Sequence, residues 1–151
     1  MKILIAVDGS PTSDAAVIEI AKRPWPPGSE VKIISVAEWT SGPGVRESLP
    51  PKMLEEFEQT ARDHAAGIAD RAVATFRDHE SQVMPIGKTV VVDAARDAII
   101  EEAEAWGADL IVLGSHGYRG YERFLLGSVS QAVAAQAKCS VEIVRHSVAQ
   151  E

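Results

Sequence analysis

Residues Ile3 to Val7 are apolar without a break, and the run stops abruptly at Asp8-Gly9-Ser10-Pro11. A strand with one wet face alternates polar and apolar residues. A short unbroken run bounded by turn residues instead reads as a strand covered on both faces. Such a strand needs helices above and below it, so this segment points to a layered α/β design.

The rest of the chain keeps to that design. Asp8-Gly9-Ser10-Pro11 supplies a turn and a helix start, with proline near the first helical position, and residues 12–23 read as the helix. Pro24-Trp25-Pro26-Pro27-Gly28 ends it. Val31 to Ala37 is a second strand. Residues 39–51 form the longest loop, rich in glycine and proline, and loops of this length are either lids or plain crossovers. A long amphipathic helix follows from Lys52 to about His79, with Phe57, Ala61, Ala65, Ile68, Ala72 and Phe76 on one stripe. Val83 to Val92 is a third strand, and Pro85 and Gly87 mark it as an edge strand or a bulged one. Ala95 to Trp106 is a helix capped by Gly107, and Asp109 to Gly114 is the fourth strand. A helix from Gly127 to Ala137 and a strand from Val141 to Arg145 complete the order. Strands alternating with helices imply right-handed crossovers and a parallel sheet. The expected organisation is a single domain over residues 1–146 with a polar tail, 147–151.

Composition narrows the function. The chain has 151 residues, 46% hydrophobic and 25% charged, with 15 Lys+Arg against 22 Asp+Glu, a net charge of −7. An acidic domain is a poor partner for nucleic acid, which requires a basic face. It remains compatible with a phosphorylated small molecule held by backbone groups. The one cysteine, Cys139, excludes an intramolecular disulfide framework and is expected as a small core residue. No segment reaches the roughly 18 apolar residues of a membrane span, and the N-terminal apolar run is too short for a signal peptide. The expectation is a cytoplasmic protein.

Ligands of open parallel sheets bind beyond the carboxyl ends of the strands, where the strand order reverses. Two strand ends carry notable residues: Asp8-Gly9-Ser10 after the first strand, and Gly114-Ser115-His116-Gly117 after the fourth. The glycines recur as Gly114, two residues, Gly117, nine residues, Gly127, then Ser128. With glycine near 7% of residues, a random match to that spacing in a chain this long has a probability of about 0.6%. A glycine turn lets backbone N–H groups approach phosphate oxygens, and a helix starting at Ser128 adds free N–H groups and a positive dipole end. A dinucleotide G-x-G-x-x-G and a Walker A loop are both absent. Gly87-Lys88-Thr89 lacks the first glycine of the latter, since position 82 is Gln.

With these residues in view, the sequence resembles the universal stress protein family in its ATP-binding branch. The resemblance is carried by Ile3-Leu4-Ile5-Ala6-Val7-Asp8-Gly9-Ser10, by Gly107-Ala108-Asp109-Leu110-Ile111-Val112-Leu113-Gly114-Ser115-His116-Gly117, and by Leu125-Leu126-Gly127-Ser128-Val129-Ser130. The G-2x-G-9x-G-[ST] spacing is that family's nucleotide signature. Two departures are Val92-Asp93-Ala94-Ala95, where the family often has Gly-Asp-Pro, and Cys139-Ser140-Val141, where it often has Cys-Pro-Val. The resemblance implies a five-stranded parallel, Rossmann-like sheet in the order 3-2-1-4-5. It implies ATP across the ends of strands 1 and 4, and a homodimer through the last strand, for which Val141, Ile143 and Val144 are candidates. It places Asp8 at the nucleoside, Val36 at adenine through its backbone and Ala6 in the adenine pocket. Gly114, Gly117, Gly127 and Ser128 fall on ribose and phosphates, followed by Val129. A divalent ion, Mg²⁺ or Mn²⁺, is expected on the phosphates.

His116 and Arg119 complete the candidate binding set, as a phosphate donor inside the glycine loop and a cation beside it; Arg123 is the second such cation. No residue stands out as catalytic or as a protein ligand to metal. The leading function is an ATP-binding regulatory protein. The alternative is a slow ATP hydrolase or a nucleotidyl- or phosphoryl-transferring enzyme on the same site, although the motif holds no lysine and no paired acids. A purely structural or partner-binding member would not need the intact glycines. A phosphoacceptor receiver domain would need clustered acids beside Asp8 and a lysine after the last strand, where Arg145-His146 stand instead.

Overall fold

A computed structural model of the chain describes residues 1–38, 44–92, 94–117 and 125–146. In chain order the elements are β1 (Lys2–Val7), α1 (Pro11–Lys22), β2 (Glu30–Ala37), α2 (Val45–Ser48), α3 (Pro51–Asp78), β3 (Pro85–Val92), α4 (Ala95–Trp106), β4 (Leu110–Gly114), α5 (Ser128–Gln136) and β5 (Ser140–Val144). The strands form one parallel sheet in the order β3-β2-β1-β4-β5. That is the order implied by the family resemblance.

The unbroken apolar run of β1 follows from its central place. Ile3, Ile5 and Val7 face one layer, packed with Val17 and Ile20 of α1 and Ile68 and Phe76 of α3. Leu4 and Ala6 face the other layer, with Ile99 and Ala103 of α4 and Val133 of α5. Alternate side chains of a strand point to opposite faces, so both sets must be apolar.

The sheet edge at β3 confirms the reading of Pro85 and Gly87. Val31 pairs with Pro85 and Lys32 with Gly87, so the register slips past Ile86. Ile86 is left 58% exposed on this outer strand. The strand begins at Pro85, not Val83. Gly107 closes α4 in the left-handed conformation, φ 72°, with Ala108 N–H donating to the Ala103 carbonyl at 2.8 Å. Cys139 is half-buried against the α4/α5 layer, and burial raises its thiol pKa.

Two expectations need correction. The apolar stripe of α3 is buried only from Ala65 onward, at Ala65, Ile68, Ala69, Ala72 and Phe76. Phe57 is 54% exposed. Length explains this: at 1.5 Å per residue the helix spans about 42 Å, whereas the longest strands span about 26 Å. Its first turns therefore overhang the sheet. Burying a large apolar side chain is worth roughly 1.5–3 kcal/mol, so Ile68 and Phe76, not Phe57, anchor the helix. The long loop also contains structure, because residues 45–48 form α2, which Arg46 ties to Glu58 of α3 at 2.8 Å. Residues 39–43 of that loop and the tail 147–151 lie outside the described residues. Among the described residues no helix is long and apolar enough to cross a membrane.

Candidate functional site

From β1, connections run outward to β2 on one side of the sheet, while β4 and β5 lie on the other. Parallel sheets place their ligand crevice at that reversal. A cavity of about 520 Å³ lies there, at the carboxyl ends of β1, β2 and β4. Ala6, Ile34, Val36, Ile99 and Leu113 supply an apolar part of its wall, and Asp8, Ser10, His116, Gly117, Gly127 and Ser128 a polar part.

The turn after β1 is closed by its own side chains. Asp8 Oδ1 accepts from the Ser10 N–H at 2.9 Å, and the Asp8 N–H donates to Ser13 Oγ at 3.2 Å. Gly9 adopts φ 78°, which a side chain would strain. Ser10 is the N-cap of α1, its Oγ accepting from the Ser13 N–H at 3.3 Å. Beside this turn, burial raises the Asp14 pKa, and nearby Arg71 opposes the rise.

The turn after β4 is held from outside. The His116 carbonyl accepts from Thr12 Oγ1 at 2.6 Å and Ser10 Oγ at 3.2 Å, fastening it to the first turn of α1. The Ser115 N–H donates to the Val144 carbonyl at 2.9 Å, at the end of β5. The Ser115 carbonyl accepts from the Gly127 N–H at 2.8 Å and from Ser130 Oγ at 3.1 Å, which brings the start of α5 to the turn. The N-cap of α5 is Gly127, with no side-chain cap. A helix leaves its first N–H groups without intrahelical partners, and Ser128, Val129 and Ser130 of that first turn line the cavity.

The three glycines do different work. A Cβ on Gly114 would clash with Thr12 and lie 2.6 Å from the Ser13 backbone nitrogen, so Gly114 admits the close approach of α1 to β4. Among the described residues a Cβ on Gly117 would meet only Asp8 Oδ2, at 3.1 Å. At Gly127 the nearest neighbours would sit at 3.4 Å, an ordinary contact.

Nine of the ten sequence-predicted residues therefore line one cavity: Ala6, Asp8, Val36, Gly114, His116, Gly117, Gly127, Ser128 and Val129. Arg119, like Arg123, lies outside the described residues. His116 Nδ1 sits 3.0 Å from Ser115 Oγ, while its Nε2 is buried without a hydrogen-bond partner among the described residues. Sequence reasoning missed Ser10, Ser13, Ser130, Ile34, Ile99, Leu113, Ala95 and Glu38 on the cavity wall, and Thr12 behind it. The hydroxyls carry a readable signal, since Ser10 follows the first strand as the N-cap of α1 and Thr12 lies in that helix's first turn. Among the described residues no group of three or more His, Cys, Asp or Glu is placed to hold a metal ion. A second cavity of about 330 Å³ lies beside α4, lined by Ile100, Ala103, Lys138 and Cys139, away from both turns.

Known proteins match this architecture. The model of the universal stress protein family matches residues 1–145. A universal stress protein A homologue of Coxiella burnetii is 32% identical over 151 residues, covering 95% of this chain and 94% of that protein. Mycobacterial relatives are longer: a universal stress protein of Mycobacterium bovis is 31% identical, and the match spans 45% of its length. The structure of universal stress protein UspA from Lactobacillus plantarum superimposes with a TM-score of 0.76 at 22% identity, covering 96% of this chain and 97% of that one. A universal stress protein crystallised in complex with cAMP superimposes with a TM-score of 0.63 at 25% identity, covering 95% and 96%. Matched by the family's pattern over residues 1–145 and by a relative along nearly its whole length, this chain belongs to the universal stress protein family.

Proposed function

We propose that this protein is an adenine-nucleotide-binding regulator of the stress response that holds ATP across the carboxyl ends of β1 and β4. The observation that carries the reading is the meeting of three features on one cavity: Asp8, the Gly114–Gly117 turn and the uncapped start of α5. In this reading the apolar wall around Ala6, Val36, Ile99 and Leu113 takes the base. Backbone N–H groups at Gly117, Ser128 and Val129 take the phosphates, helped by the dipole of α5. That arrangement suits a chain of net charge −7, because backbone donors need no basic face. The cAMP complex of a family member supports the ligand class. Mg²⁺ or Mn²⁺ on the phosphates would have Asp8 at hand, whose Oδ2 lies beside Gly117, since Mg²⁺ prefers one or two carboxylates plus phosphate and water.

The same reading includes a cytoplasmic homodimer. The outermost strand β5 leaves Val141, Ile143 and Val144 half-exposed, and an open strand edge is a template for pairing with a second copy. One observation favours the hydrolase alternative: His116 lines the cavity, and its buried Nε2 has no hydrogen-bond partner among the described residues.

Calorimetric titration of nucleotide-free protein with Mg-ATP, followed by an assay for released ADP over hours, tests the reading. Binding with little ADP supports a regulator. Steady ADP release that disappears in Gly117→Val moves the assignment to a hydrolase. Absence of binding removes the ATP assignment and leaves the fold intact.

A further inference from the structure

We propose that Glu38 selects the base of the bound nucleotide, accepting a hydrogen bond from an exocyclic amine and so favouring adenine over a base with a carbonyl at the same place. The inference rests on the nucleotide reading above. Pairing between β1 and β2 ends at Val7 with Ser35, whereas β2 and β3 stay paired to Ala37 with Val92. The end of β2 therefore projects beyond β1, and Glu38 follows it onto the cavity wall. Glu38 is exposed at the rim of the cavity, and its carboxylate is tethered there, because Oε1 accepts from the N–H of Ala95, the first residue of α4, at 3.1 Å. The N-cap residue of α4, Ala94, makes no side-chain cap of its own, so Glu38 supplies the cap from across the crevice.

A carboxylate is acceptor-only, with two oxygens. One is used by α4, and the other has no partner among the described residues. The apolar residues Val36, Ile99 and Ala95 surround this end of the cavity, as a planar ring requires. Asp8, by contrast, lies against Gly117, at the end where sugar and phosphates belong. A negative charge at Glu38 is compatible with a neutral base and repels phosphate, which sets the direction of the nucleotide. The adenine amine donates to the free oxygen. The carbonyl of hypoxanthine would instead face it lone pair to lone pair, and a site built to accept a donor rejects the analogue that lacks it.

Dissociation constants for Mg-ATP, Mg-ITP and Mg-2′-deoxyATP, measured on the full chain and on Glu38→Gln and Glu38→Ala, test this. The wild type should prefer ATP over ITP by about tenfold or more. In Glu38→Gln the amide oxygen keeps the cap on Ala95 and the NH₂ turns to the base, where it meets the adenine amine donor to donor and the hypoxanthine carbonyl donor to acceptor, so the ATP-over-ITP preference should be lost or reversed. Glu38→Ala should lose the preference as well. Equal binding of ATP and ITP by the wild type, or an unchanged ratio in a folded Glu38→Gln, overturns the proposal while the nucleotide reading stands. A change confined to the ATP-to-deoxyATP ratio places the carboxylate on ribose and also overturns it. No binding of any of the three by the wild type removes the nucleotide reading itself, and with it the role of Glu38.

Discussion

The turns after β1 and β4 both end a central strand, both lead into a helix, and both reach the same cavity, yet they are built in opposite ways. After β1 the chain is in α1 within three residues, and the turn is closed by its own side chains: Asp8 to Ser10, and Ser10 to Ser13. After β4 the turn is clasped by groups from other elements, Thr12 and Ser10 from α1 and Ser130 from α5. The first turn is braced largely by its own side chains, lends the Ser10 hydroxyl to the second, and acts as a wall. The second has its carbonyls satisfied from behind, which leaves glycine backbone facing the cavity. A site for a polyphosphate on an acidic chain needs both: a rigid wall to position the ligand, and uncommitted N–H groups to hold it.

Substitutions that treat the two ends of the Gly114–Gly117 turn alike should therefore give different results. The largest effect is expected for Gly114→Ala. Its Cβ would press into the Thr12–Ser13 backbone, where nothing flexible yields, so stability should fall by about 3 kcal/mol. Urea unfolding reads this directly, and a midpoint equal to wild type would show that α1 does not need the glycine. Gly117→Val should leave stability within about 1 kcal/mol, because among the described residues its Cβ meets only the Asp8 carboxylate, the end of a side chain that can turn aside. It should instead weaken Mg-ATP binding by about tenfold to hundredfold, by blocking backbone approach. Unchanged affinity in the folded variant would remove the phosphate loop. The smallest effect belongs to Thr12→Val, which keeps the shape and deletes both bonds to the His116 backbone. A loss of about 1–2 kcal/mol is expected at two ordinary hydrogen bonds. No loss in urea unfolding would mean that the clasp from α1 is dispensable.

Much of this was legible in the sequence because it depends on local pattern. The two-faced apolar run of β1, the Pro85–Gly87 irregularity and the Gly107 cap each report a local backbone or burial requirement, and each appears in the fold. The glycine spacing located the cavity residues, but it could not separate the reasons for the glycines. Gly114 and Gly117 look equivalent as letters. One makes room for a helix backbone brought from residues 12 and 13, and the other faces Asp8. That distinction depends on which elements pack together, which spacing does not encode. Phe57 was misread for a related reason. Helical periodicity says which face is apolar, not where the sheet beneath it ends. Glu38 carried no signal at all, because its partner, the Ala95 N–H, is 57 residues away.

The central claim is that backbone groups of the Gly117 turn and the start of α5 hold the phosphates. Amide chemical shifts of isotope-labelled protein, followed during titration with Mg-ATP and then with adenosine, test it most directly. The account predicts that the amides of Gly117, Ser128 and Val129 shift strongly with Mg-ATP and little with adenosine, while residues around Val36 and Ile99 respond to both. Shifts confined to the cavity beside Cys139, or equal responses of the three amides to the two ligands, would contradict it.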